Sequence, residues 1–143
     1  MGAIELVADQ WPVLFTKFDG EQTVADIEAY IREFAPFHAR GLPWFGVSWL
    51  RKYSTAREPR VRIAAWMKDT EAQARAYCVA NAMVTQSTGF RFVLSSILLL
   101  RPLVMPYTVT ATMEDAFAFL RGHANKRNLA LPAGLHSPWP DAP

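Results

Sequence analysis

"YTVTATMEDAFAFL", residues 107–120, puts two periodicities side by side. "YTVTAT" is built of β-branched and aromatic residues in alternation, which predicts a strand. Thr112 then stands three residues before Asp115, a capping box with Asp in place of the usual Glu, and opens the Ala-rich amphipathic helix "MEDAFAFLRGHANKRN". Strand followed by capped helix is the unit that recurs upstream. "QSTGFRFVLSSILLLRP" (86–102) predicts a helix with Ser87 as its cap, preceded by the strand "VANAMVT" (79–85), whose small Ala80 and Ala82 share one face and admit a closely packed helix. "REPRVRIAAWMKDTEAQARAY" (57–77) predicts one helix, with Pro59 near its first turn and Ile63, Met67, Ala74 and Tyr77 as its stripe. It follows "WFGVSWL" (44–50), in which Phe45, Val47 and Trp49 share one face and Trp44, Gly46, Ser48 and Leu50 the other.

Nearer the N-terminus, "TVADIEAYIREF" (23–34) predicts a helix with Val24, Ile27, Ile31 and Phe34 as its stripe and Thr23–Asp26 as its capping box; Pro36 is expected to end or kink it. "AIELVAD" and "PVLFTKFDG" open the chain as two short strands. The order ββαβαβαβα predicts a single α/β domain, residues 1–130. Its sheet is mixed and mostly parallel, with about four to five strands, about four helices and one antiparallel edge. Residues 131–143, proline-rich and without periodicity, are expected to form a loosely ordered tail.

The 143 residues suffice for one continuous core without a metal or disulfide. A balance of 51% apolar to 20% charged residues excludes a chain disordered throughout. The net charge of +2 does not point to nucleic acid. Cys78 is the only cysteine, so an internal disulfide and a cysteine metal cluster are both excluded. "MGAIELVADQWP" has no signal-peptide core, and the longest apolar run, Ile97–Leu100, is far too short for a transmembrane segment. A cytoplasmic address is expected.

No catalytic constellation stands out. His38, His123 and His136 are scattered, Cys78 reads as a small buried hydrophobe, and neither a hydrolase nor a nucleotide-binding motif is present. No enzyme, no cofactor and no metal site is expected. Two surface features remain. Arg51, Lys52, Arg57, Arg60 and Arg62 form the densest basic cluster. The helix at 86–102 has more apolar surface than one core stripe requires. Phe90, Val93, Leu94, Ile97 and Leu100 make that stripe, while Phe92 and Leu99 fall on the polar side and, with Leu103, Val104 and Met105, predict a second apolar patch for contact with a partner.

The ββα opening, the strand and helix over 44–77, and "YTVTATMEDAFAFL" resemble the STAS-like domains over roughly residues 3–128. That group includes the bacterial sporulation anti-sigma-factor antagonists and is grouped more broadly with CRAL-TRIO lipid-transfer proteins. The resemblance implies a non-enzymatic regulatory module that binds a protein partner or itself, with a small apolar-ligand or lipid-binding module of CRAL-TRIO-like type as the alternative. It also implies a switch in a Ser or Thr at the start of the second helix. The matching stretch is "RKYSTAREP" (51–59), where Ser54 and Thr55 supply the hydroxyls and Arg57 and Arg60 stand beside them. The Asp and Gly of the family's Asp-Ser-Ser-Gly turn are absent, so this loop is expected to take a carboxylate or phosphate unmodified.

Overall fold

The computed structural model describes residues 2–143, with Ser54 and Thr55 described by their backbone only. Its strands are β1 (Ile4–Val7), β2 (Val13–Gln22), β3 (Trp44–Thr55), β4 (Cys78–Val84) and β5 (Tyr107–Thr110). Its helices are α1 (Val24–Ala39), α2 (Arg57–Asp69), α3 (Glu71–Tyr77), α4 (Thr88–Leu100) and α5 (Met113–Lys126). The five strands form one sheet in sequential order, with β1 antiparallel to β2 and the remaining neighbours parallel. This is the mixed, mostly parallel α/β sheet expected from the sequence.

Sequential order has a geometric consequence. Parallel crossovers share one hand, so the connecting helices gather on one face of the sheet. Leu14 and Trp44 on that face pack with Tyr30 and Phe34 of α1 and Trp66 of α2, and Phe18, Leu50 and Met83 pack with Leu98 of α4. Only α5 crosses to the other face, where Met113, Ala116, Phe117, Leu120 and Ala124 meet Phe15, Phe45, Val47, Ala80 and Ala82. Ala80 and Ala82 are fully buried beneath it, as the small residues on that face of β4 require. The caps form as expected: the hydroxyls of Thr23, Ser87 and Thr112 accept from the backbone N–H groups of Asp26, Phe90 and Asp115 at 3.1–3.2 Å.

Four expectations are corrected. Pro36 does not end α1, which runs on to Ala39 with the proline inside it. The helix expected over 57–77 is two, α2 and α3, with Thr70 between them; its hydroxyl donates back to the Trp66 carbonyl at 2.9 Å, which favours a break. β3 continues five residues beyond Leu50, because its backbone keeps pairing with β2 as far as Gln22↔Thr55. The segment from Leu131 onward is packed: Trp139 is 6% exposed and joins the α5-side core with Leu131, Leu135 and Ala142.

Candidate functional site

The helices on the crowded face do not close over it. Between α2–α3 and α4 lies a cleft of about 630 Å³ with a mostly apolar lining. Trp44, Gly46, Ser48 and Leu50 of β3 form the centre of its floor, with Phe18 on one side and Asn81 and Met83 on the other. Ile63, Trp66 and Met67 of α2 make one wall; Phe90, Leu94 and Leu98 of α4 make the opposite wall. Gly46 is needed there by close approach: a Cβ at this position would lie 2.8 Å from the Asn81 Oδ1 and 3.3 Å from the Trp44 ring.

A bulge extends the floor. Pairing between β2 and β3 slips after Phe18↔Leu50, so that Asp19 faces Lys52 and Gly20 faces Tyr53. One extra residue reverses the alternation and brings Tyr53 onto the cleft face, where its ring meets Phe18 at 5.6 Å and stacks on Phe90 at 5.9 Å. Burial pushes the Tyr53 hydroxyl pKa up, while the neighbouring Arg60 charge pulls it down. Tyr30, also lining the cleft, is pushed up to about 12 by burial. At the opposite end His38 stacks on Trp66 at 5.9 Å, and desolvation lowers its pKa. His38, one of three histidines that look scattered in the sequence, lines the cleft; its place four residues after the buried Phe34 was the available signal. These titratable groups favour their neutral forms, so the interior of the cleft is apolar, with the charged Arg60, Lys68 and Glu71 also in its lining.

α4 carries the main correction at the site. Leu98 is buried and Phe90 and Leu94 are partly buried, but Val93, Ile97 and Leu100, expected in the core, are 51%, 54% and 85% exposed. The inward stripe is rotated by about 60° from the expected one, at 100° per residue. Tyr107, whose hydroxyl donates to the Leu98 carbonyl at 3.0 Å, and the Phe90–Tyr53 stack hold this phase. Phe92 and Leu99 do face water, at 74% and 83% exposed. Leu103, Val104 and Met105 do not extend their patch: they are half-buried and line the cleft.

The basic cluster divides. Arg51 pairs with Asp19 at 2.9 Å and Asp141 at 3.7 Å, and Arg62 pairs with Glu28. Lys52, Arg57 and Arg60 make no ion pair among the described residues, and Arg60 alone of these lines the cleft. The side chains of Ser54 and Thr55 lie outside the described structure; their backbones end β3, opposite Glu21 and Gln22.

Cys78 is 3% exposed, and burial pushes its thiol up to about 12. A thiol held protonated and out of reach is unreactive. Labelling by an aromatic disulfide reagent should therefore be slow in the native protein and fast after denaturation; fast labelling of the folded chain would contradict this placement.

No family model matches the chain, and no curated protein sequence matches it. Among solved structures it is similar to the Bacillus cell fate determinant SpoIIAA in the phosphorylated form, at 16% identity with a TM-score of 0.57, over 83% of this chain and 100% of that one. The likeness establishes a STAS-like fold. No helix among the described residues is long and apolar enough to cross a membrane. Among the described residues no group of three His, Cys, Asp or Glu could hold a metal ion.

Proposed function

We propose that this chain is a non-enzymatic STAS-like regulatory module of the cytoplasm that binds a protein partner through the outer face of α4, assisted by the basic loop before α2. The observation that carries this reading is the exposure of Phe92, Leu99 and Leu100 at 74%, 83% and 85% on one short helix. Contiguous large apolar side chains in water mark an interaction surface or an aggregation liability. A second copy of the chain suits the face best. Phe92, Val93, Leu99 and Leu100 offer no charge for a partner to match, and a two-fold interface requires only that the same apolar patch meet itself.

Light scattering on the purified chain should give the mass of a dimer, and the double variant Phe92→Ser/Leu99→Ser should give a folded monomer. A folded variant of unchanged mass, or a variant that unfolds, would refute the interface. A second reading, the small apolar-ligand module, is favoured by the cleft beneath α4, whose volume falls within the range of about 300–1,000 Å³ typical of ligand pockets.

A further inference from the structure

The cleft's shape and its one-sided charge are specific enough to name a ligand class. We propose that it binds a single-chain anionic amphiphile, a long-chain fatty acid, with the hydrocarbon laid along β3 and the carboxylate at Arg60. This rests on the apolar-ligand reading of the cleft and is independent of the α4 interface.

The length argument comes from the floor. Cleft-lining residues of β3 run from Trp44 to Tyr53. At about 3.3 Å per residue that is a trough roughly 30 Å long. A volume of about 630 Å³ in an apolar trough of that length accommodates one extended alkyl chain. The walls are the side chains such a chain requires, Ile63, Leu94 and Leu98 among them.

Charge decides the polarity of the ligand. Among the described residues two cations line the cleft, Arg60 and Lys68. Lys68 shares its end with Glu71, a carboxylate that would repel an acid. At the other end Arg60 has no ion-pair partner among the described residues, and its charge acts on the adjacent Tyr53 hydroxyl. Burial favours the neutral phenol, so Arg60 and Tyr53, which both line the cleft, each offer a donor at this end. A carboxylate there accepts from both, and an arginine–carboxylate pair is among the stronger charge-assisted hydrogen bonds.

Calorimetric titration with sodium laurate, sodium myristate and tetradecanol, each below its aggregation threshold, tests the assignment. Myristate should bind one per chain and about tenfold more tightly than laurate, since each added methylene buried is worth roughly a three- to fourfold gain. Arg60→Gln should weaken myristate binding by about fivefold, the scale of a partly exposed ion pair, while leaving tetradecanol unchanged; Lys68→Gln should affect neither. The Phe92→Ser/Leu99→Ser variant should still bind myristate, which excludes adsorption on the outer face of α4. If myristate and tetradecanol bind equally and Arg60→Gln changes neither, the cleft is a ligand site but the carboxylate assignment is wrong. If no ligand binds saturably, or binding is lost with Phe92 and Leu99, both this proposal and the ligand reading of the cleft fall.

Discussion

Replacing Trp139 by alanine is expected to destabilise the domain by about 3–5 kcal/mol, the range for emptying a buried aromatic site. The residue lies in the segment whose composition reads as a tail, yet it is 6% exposed. Its ring stands edge-on to Phe15 at 6.1 Å and tilted against Trp49 at 5.8 Å, with the Lys17 ammonium 5.6 Å away. The segment is also tied down by its backbone. Gln10 exchanges two hydrogen bonds with the His136 main chain, at 2.8 and 3.1 Å, and the Met113 N–H at the start of α5 donates to the Pro143 carbonyl at 2.7 Å. Trp139→Phe should cost far less, because the indole N–H has no hydrogen-bond partner among the described residues and most of the ring's contacts survive. Urea denaturation of the two variants checks this. A loss below about 1 kcal/mol for Trp139→Ala would mean that the segment is dispensable, because scattered surface changes lie within about ±0.5 kcal/mol.

That segment also shows what the chain's linear pattern can and cannot carry. Strands and helices were legible wherever a period and a stop signal coincided, as at Thr23–Asp26 and Thr112–Asp115, both of which cap as expected. A closely seated helix was legible from Ala80 and Ala82, since few other residue types let a helix approach a sheet so nearly; that the helix is α5 was not. Residues 131–143 have no period because they form no regular element; they are held by individual anchors, chiefly Trp139 against Phe15 and Trp49, and proline content says nothing of such contacts. The cleft was illegible for a related reason. It exists because α2 and α4 stand apart over the sheet, a tertiary spacing, and because a bulge turns Tyr53 inward, a register slip that alternation alone does not reveal.

Two adjacent leucines give the sharpest contrast in the molecule. Leu98→Ala is expected to cost about 2–5 kcal/mol, toward the lower end because the neighbouring cleft allows some relaxation, whereas Leu99→Ala should stay within about ±0.5 kcal/mol of wild type. The two residues are neighbours in "SSILLL", and composition does not distinguish them. Leu98 is 7% exposed and packs with Phe18, Leu50 and Met83; Leu99 is 83% exposed. An amphipathic helix announces its buried face by contrast, but Ile97 to Leu100 are apolar without interruption, so several rotations of α4 satisfy the pattern equally. The phase is selected by partners elsewhere in the chain, the Tyr107 hydroxyl on the Leu98 carbonyl and the Tyr53 ring on Phe90. The alternative phase, with Leu100 inward, makes a distinct prediction: Leu100→Ala should then cost as much as Leu98→Ala. Denaturation at protein concentrations low enough to favour the monomer separates these cases, since at high concentration an apolar contact between copies would add stability that Leu99→Ala removes. A large loss for Leu98→Ala alone places α4 as described, with Phe92, Leu99 and Leu100 turned outward to whatever partner the helix meets.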